Sequence, residues 1–590
     1  MMLSLLQILK AVWRARIDRF WLIWTLITGT AAIGVAWVVG HAAAPTIEKG
    51  REAAITRARR YSYSGSAIAT LTLVSLILVG YVVVALKWED FADYDDAFFT
   101  LFTLRGRNLG PPIWPRSGRF FPLGQQEFNL IRHFTSSVAG YHAVPIAQLL
   151  IVSCLLVFLD YALSITARVA LTAVCLILPS IVTSFTGLVF SDRNVLFWLA
   201  CLVFFVKLFE HTRSTPWAVA AAICAQNMIY YKETAFLLLL GFAAGRLILR
   251  CRCADGEGWD HGRLRDRESR LDLCLISLVV LFLLYYVAVM LPHPNIQYAD
   301  QNRVPWDEAL LYYLRLDLLG LLFVVIALRR AYLIWRRRLA PLPLWDGLAF
   351  GGVACYAAYL YLRLCRPYYL APVDFIAVLY VGRFVVLSWN QMRLWSRIAT
   401  LALVFAVLLQ SVSLSAFHVY ERENIIHAKA ELANAIAVQS QSDTSHAQRL
   451  FFPFSNVYPV TEFASYLIYR GIRVEGEETT VNSVAPNGVV LVSKAFTKDG
   501  PCVDYRNFVC HAGSSPDRGD LVIELPDDLE SLPEINPYRA GGELLFAYEP
   551  RPRIPQWSLP LLNRLRVISV RFRFRELPDR WLRASMTRWK

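Results

Sequence analysis

The chain has 590 residues, 56% of them hydrophobic, and a mean hydropathy of +0.41, against roughly 45–50% apolar residues in soluble domains. The excess falls in long runs, which excludes an ordinary soluble globule and points to a polytopic α-helical membrane protein. The formal net charge of +14 does not call for nucleic acid, because the basic residues gather in loops on one side of those runs.

Residues 1–66 form a basic N-terminal segment around one apolar run, 20–40. Lys10, Arg14, Arg16 and Arg19 precede the run, and Lys49, Arg51, Arg57, Arg59 and Arg60 follow it. Both flanks favour the cytoplasm, so the run is either an extra span or a re-entrant or interfacial segment. A cleaved signal peptide fits poorly, since cleavage near Ala42–Ala44 would leave a basic tail outside.

Residues 67–417 carry eleven more runs: 67–86, 146–166, 169–190, 195–210, 217–231, 234–249, 273–291, 318–334, 347–362, 369–387 and 398–417. A stretch of about 17–25 apolar residues crosses a hydrocarbon core roughly 30 Å thick. The runs 195–210, 217–231 and 234–249 are short, and are expected to be tilted, broken or shielded by neighbours. The expected total is 11–12 helices. Arg250, Arg252, Arg263, Arg265, Arg267 and Arg270 fill one connecting loop, Arg329, Arg330, Arg336, Arg337 and Arg338 another, and Arg393 and Arg397 mark a third. With these loops inside, 88–145, 191–194, 232–233, 292–317, 363–368 and everything after 417 are expected outside.

The loop 88–145 is far longer than a helix connection needs. Near its start lies Asp93-Tyr94-Asp95-Asp96-Ala97-Phe98-Phe99. Three carboxylates so close repel one another. At a membrane surface they suit sharing a proton, binding a cation or taking a proton from a hydroxyl. The same run also reads as the acidic start of a solvated helix. Apolar clusters at 98–104 and 128–134 predict short helices against the membrane, with Pro111, Pro112 and Pro115 in a rigid stretch between them.

Residues 418–550 read as a mixed α/β domain outside the membrane, with helices over 422–440 and 461–470 and strands at 489–492, 521–525 and 543–548. Cys502 and Cys510 fall there and are disulfide candidates, with unpaired packing as the alternative. The basic tail 551–590 alternates Arg with apolar residues from Arg564 to Phe574, as a strand with a basic face or as a contact for anionic lipid headgroups. No Gly-rich phosphate loop is present, so a Walker or Rossmann reading has no support.

Four outer segments hold the polar residues that suit chemistry. Besides the acidic run there is Gly118-Arg119-Phe120-Phe121-Pro122-Leu123-Gly124, then Tyr231-Lys232-Glu233-Thr234, then Arg363 and Arg366-Pro367-Tyr368-Tyr369-Leu370-Ala371-Pro372. In this order they resemble the GT-C superfamily of polyprenyl-phosphate-dependent glycosyltransferases, in particular the group of lipid A aminoarabinose transferases and protein O-mannosyltransferases. That resemblance covers roughly 67–417 and implies a GT-C-like bundle in the bacterial cytoplasmic membrane. It further implies transfer of a sugar from a polyprenyl phosphate to a lipid, glycan or protein acceptor on the outer face. Asp95 or Asp96, with Asp93 as a further candidate, would be the general base. Lys232, Arg363, Arg366 and Arg119 would hold the donor phosphate, supported by Glu233 and Tyr231.

These residue types suit that chemistry. A base near the acceptor hydroxyl, cations on the departing phosphate and a carboxylate near oxocarbenium-like charge are its needs. Arg offers a bidentate fork and Lys a point charge. No cofactor is required, since a monophosphate leaving group carries its own charge. The acidic cluster nevertheless offers carboxylate oxygens to a divalent cation, Mg2+ or Mn2+. Each segment has a plainer reading too. Arg119 reads as a loop–lipid anchor, Lys232-Glu233 as a local ion pair, Asp192-Arg193 as structural, and Arg363 and Arg366 as snorkelling side chains. Two other functions remain open at this point: an O-antigen polymerase or ligase relying on late-loop arginines, and a lipid or glycan transporter. The spans hold few mid-membrane charges, which disfavours transport.

Overall fold

The structure is a computed structural model that describes residues 19–41, 65–87, 90–91, 96–104, 106–115, 118–252, 261–290, 305–442, 448–451, 466–471, 474–478, 489–492 and 521–524. The expected strand 543–548, the tail 551–590, and Cys502 and Cys510 lie outside these residues. The eight cysteines within them carry free thiols.

The described chain is mostly helical, and eight helices are long and apolar enough to cross a membrane. A ninth span is formed if the bent pair Ile165–Leu176 and Pro179–Thr186, at 66° to each other, counts as one. This is the architecture of a polytopic helical membrane protein. Each of the twelve apolar runs coincides with a helix or with that bent pair. The remaining three are the helices Thr215–Tyr231, Ala235–Cys251 and Pro343–Tyr361. At 17 residues each, the first two reach only about 26 Å at 1.5 Å per residue. They survive because neighbours shield them: Ala218, Ala221, Ala225, Leu238, Leu239 and Phe242 are fully buried.

Numbered in chain order, the helices that matter below are α1 (Arg19–Gly40), α2 (Gly65–Lys87), α3 (Asp96–Leu104), α4 (Gln126–Ile131), α5 (Val138–Leu159), α6 (Ile165–Leu176), α7 (Pro179–Thr186) and α8 (Ser191–Thr212). They continue with α9 (Thr215–Tyr231), α10 (Ala235–Cys251), α11 (Arg267–Met290), α12 (Trp306–Leu316), α13 (Leu318–Trp335), α14 (Pro343–Tyr361), α15 (Ala371–Ser388) and α16 (Leu394–Ser442). In α1 and α2 long apolar side chains such as Ile33, Trp37, Leu76 and Leu86 remain exposed, as expected of lipid-facing helices. The centre belongs to α8, α9, α10, α14 and α15.

The tightest helix contact is α10 on α14. Gly241 and Gly245 on one helix face Gly347 and Gly351 on the other, each pair spaced four residues apart. A methyl group on Gly351 would sit 2.3 Å from the Leu238 carbonyl oxygen, and one on Gly241 would sit 2.8 Å from the Gly351 Cα. Without a hydrophobic drive between helices in lipid, such close backbone approach is a main source of association.

Two boundaries differ from the sequence reading. The third span starts at Val138 rather than 146, because Ser137 caps it by accepting from the Gly140 N–H at 3.1 Å. Pro145 sits inside the helix, where tertiary neighbours tolerate it. The division at 417/418 falls within α16, a single helix of 49 residues, about 74 Å long. Its first part, Leu394–Ala416, is long and apolar enough to cross a membrane, and in its remainder Ile426 and Ala433 are still buried.

In the C-terminal region four strands form a sheet in the order β4-β3-β5-β6 (Val474–Glu478, Gln448–Phe451, Val489–Val492, Leu521–Glu524), with every pair parallel. The expected strands at 489–492 and 521–525 are therefore β5 and β6, and the expected helix 422–440 is the end of α16. Of the expected helix 461–470, the described part is 466–469. It docks on the start of the first loop, with the Tyr466 hydroxyl donating to Asp90 at 2.7 Å.

Candidate functional site

Between Thr103 and Val138 the first loop folds back onto one end of the bundle. A two-residue hairpin pairs β1 (Ile113–Trp114) antiparallel with β2 (Arg119–Phe120). Gly118 enters β2 with φ +67, a left-handed conformation that glycine adopts without penalty. Beyond β2 the chain turns tightly, the Gly124 N–H donating to the Phe121 carbonyl at 2.7 Å. A Cβ at Gly124 would lie 2.3 Å from the Phe121 ring. Gly118 is thus favoured by its backbone conformation and Gly124 by the close approach of the Phe121 ring. The Leu123 N–H then donates to the Tyr230 carbonyl at 3.1 Å, which fixes the loop on the end of α9.

That docking brings distant side chains together. The Arg119 guanidinium meets the Glu233 carboxylate at 2.5 Å and lies 4.5 Å over the Phe121 ring. Next to it, Lys232 is buried and reaches Asp192 Oδ2 at 3.1 Å, with its ammonium 4.5 Å from the centre of the Tyr369 ring. Lys232 and Glu233 therefore do not pair with each other. Lys232 ends α9 in an extended conformation, φ −154 and ψ 128, which sends successive side chains to opposite sides. Burial pushes the Lys232 ammonium down, but Asp192, Tyr369 and Glu233 together outweigh it, and the net shift is upward.

A second cluster secures the loop to α8. Arg193 is fully buried and donates to the Gly187 and Leu188 carbonyls at 2.9 and 3.1 Å. Its other arm meets Glu127 of α4 at 3.3 Å, and Asn194 donates to the same oxygen at 2.8 Å. Gln148 of α5 donates to Asn194 at 2.8 Å. Burial raises the Glu127 pKa despite Arg193 and Asn194, whose contacts lower it. Arg193 is a structural staple, as its plainer reading had it, whereas Asp192 belongs with Lys232.

The late segment lies alongside. Arg363 leaves α14 with φ 56 and packs its guanidinium 5.4 Å from the Trp306 ring centre. Arg366 opens the one-turn 3-10 helix Pro367–Leu370, whose Tyr368 stacks on Phe190 at 4.2 Å and whose Tyr369 faces Lys232. Behind them the Tyr359 hydroxyl shares a 3.1 Å hydrogen bond with Thr234. Tyr231 is buried at the end of α9. The Lys232 turn, Arg119 and the Arg366–Tyr369 turn thus share one end of the bundle.

Asp93 and Asp95 lie outside the described residues; Asp96 begins α3, and its side chain also lies outside them. The flanking Phe91 packs edge-on against Tyr141 at 5.3 Å and against Tyr469 at 5.3 Å. Tyr141 in turn touches Phe128 of α4, so the segment leading into the acidic run belongs to the same end as Glu127 and Arg193. Among the described residues no group of three His, Cys, Asp or Glu is placed to hold a metal.

The opposite end of α8 is held by charges of another kind. Arg246, fully buried, meets Asp272 at 3.0 Å and Glu210 at 3.0 Å, and Arg250 also pairs with Glu210. Asp160, at the C-terminal end of α5, binds Arg383 at 2.8 Å.

Sequence reasoning missed Glu127 and the partners of Lys232 and Arg119, which are 40 and 114 positions away. The paired Gly-x-x-x-Gly spacings of α10 and α14 were a readable signal for that contact. No protein-family model matches the chain, and no curated protein matches it either.

Proposed function

We propose that the chain is a membrane glycosyltransferase of GT-C type that moves a sugar from a polyprenyl monophosphate to a lipid, glycan or protein acceptor. The reaction takes place at the bundle end capped by the first loop, on the outer face of a bacterial cytoplasmic membrane. The observation that carries this reading is the placement of Lys232 and Arg119 side by side under that loop, each held by a carboxylate and an aromatic ring.

The donor phosphate meets a site that is already organised. Lys232 has three N–H donors and spends one on Asp192; Arg119 has five and meets Glu233 through Nε. On Lys232, donors therefore remain for phosphate oxygens without breaking the Asp192 pair. Arg366, on the adjoining turn, adds bidentate capacity. The departing phosphate is stabilised where its charge develops, in a setting of low dielectric. An aspartate of the 93–96 run removes the acceptor proton. The orientation follows from the basic loops, and a lipid-carried donor suits a face without nucleotide sugars.

Transfer from a radiolabelled polyprenyl-phosphate sugar pool to envelope acceptors tests the assignment. The Asp95→Asn and Asp96→Asn variants should lose transfer while expression and thermal stability are kept. Full activity in the double variant rules out the base. Loss on changing Arg363 and Arg366 alone, with both aspartates dispensable, favours the ligase-type enzyme instead.

A further inference from the structure

A small cavity lies where three helices begin: α7 at Pro179, α13 at Leu318 and α15 at Ala371. The turn Pro367–Leu370 separates it from the Lys232 site, since Pro367 and Leu370 line the cavity while Tyr369 faces Lys232. Its volume is about 20 Å³, enough for one water-sized occupant and far too little for a sugar or a phosphate.

The polar lining consists of oxygen-bearing residues: Ser180, Tyr312, Asp317, Asp374, Gln410 and Ser411, with no Lys, Arg or His. Asp317 and Asp374 are each only 6% exposed. Asp317 caps α13, its Oδ1 accepting from the Gly320 N–H at 2.9 Å. Asp374, in the first turn of α15, accepts on Oδ2 from the Ser180 hydroxyl at 2.5 Å. Asp374 Oδ1 is buried and has no hydrogen-bond partner among the described residues.

Hydrogen bonds to a carboxylate and a nearby helix start both favour its ionised form. Two helix starts supply about half a positive charge each, which leaves two carboxylates undercompensated in a buried setting. Either a proton shared by the two acids or a cation restores the balance; the open space beside the unpartnered Asp374 oxygen suits a cation, and a lining whose lone-pair donors are oxygens selects a hard one. Mg2+ retains several waters, for which the cavity has no room. With two acids and, among the described residues, no group of three His, Cys, Asp or Glu placed to hold a metal, the occupant is held with the help of neutral oxygens and is removable.

We propose that this cavity binds a single dehydrated hard cation, Ca2+ or Na+, between Asp317 and Asp374, with Asp374 Oδ1 as its open ligand. The ion braces the three helix starts and the Pro367–Leu370 turn beside Lys232. The site is independent of the transferase reading.

The test uses the full chain in detergent, stripped with chelator in a choline buffer, with thermal unfolding followed as CaCl2, NaCl or MgCl2 is added. One of Ca2+ or Na+ should raise Tm by roughly 2–4 °C at saturation, with Mg2+ ineffective; the effective ion identifies the occupant. Asp317→Asn keeps the helix cap, because Asn and Asp cap equally well, and should abolish the rise. Asp374→Asn should do the same. The Asp95→Asn/Asp96→Asn double variant should retain it, which separates this cavity from the acidic run. An unmoved wild-type Tm overturns the proposal. So does an equal response to Mg2+, a rise unchanged in Asp317→Asn, or a rise lost only in the first-loop variant.

Discussion

Lys232 and Asp192 form a buried ion pair at 3.1 Å between the end of α9 and the first turn of α8. Removing one partner of such a pair strands the other charge, at about 3–5 kcal/mol. Lys232→Met should therefore lower Tm strongly, and adding Asp192→Leu should restore most of the loss. Thermal unfolding of the two variants in detergent measures this. Equal Tm values for the single and the double variant contradict it.

The pair also sets an alkaline limit. The folded pKa of Lys232 is raised above its ordinary value, which is about 10.4 in the unfolded chain. Its contribution to stability is thus fully present below about pH 10.4 and is lost as pH rises through the higher folded value. Lys232→Arg keeps its charge throughout this range. Between about pH 9 and 11.5, wild-type Tm should fall more steeply than that of Lys232→Arg. Parallel curves contradict the assignment.

Arg119 and Glu233 tie the first loop to the α9–α10 turn. Arg119→Glu should release the loop and expose the stretch around Gly118–Gly124 to protease, and the exchanged pair Arg119→Glu/Glu233→Arg should restore protection. Limited proteolysis reads this directly. Protection in the single variant shows that the Leu123–Tyr230 backbone bond suffices.

The glycine contact of α10 and α14 tolerates no side chain. Gly351→Val forces atoms into the Leu238 carbonyl, whose oxygen already lies 2.3 Å from a Cβ at this position. Loss of folded protein by size-exclusion chromatography is expected. A Cβ at Gly80 meets nothing within 4 Å, and Gly80→Val should leave the elution profile unchanged.

Apolar periodicity carries the helical architecture because each span must bury its own backbone polar groups. That requirement is local, and so it was legible from the sequence. The start of α5 was not, because Pro145 looks like a break until neighbouring helices accommodate it. Nor was the continuity of α16, whose polar second half reads as a separate helix once it leaves the apolar run. At the site, the segments around Arg119, Lys232 and Arg366 were readable as polar islands between spans. Their partners were not, since Asp192 is chosen by how α8 packs beside α9 and Glu233 by how the loop docks. The alternative the sequence offered, a local pair of Lys232 with Glu233, does not form, and the extended backbone at 232 sends the two side chains to opposite sides.

The central claim is that Lys232 belongs to a polyprenyl-phosphate site while the aspartates act on the acceptor. Its most direct test is binding of polyprenyl monophosphate to the detergent-purified full chain, compared with Lys232→Arg, Lys232→Met and Asp95→Asn/Asp96→Asn. The account predicts binding by wild type, at least a tenfold weaker Kd in Lys232→Met, about 1.4 kcal/mol, partial recovery in Lys232→Arg, and an unchanged Kd in the aspartate variant. No binding by wild type, or equal affinity in folded Lys232→Met, contradicts it.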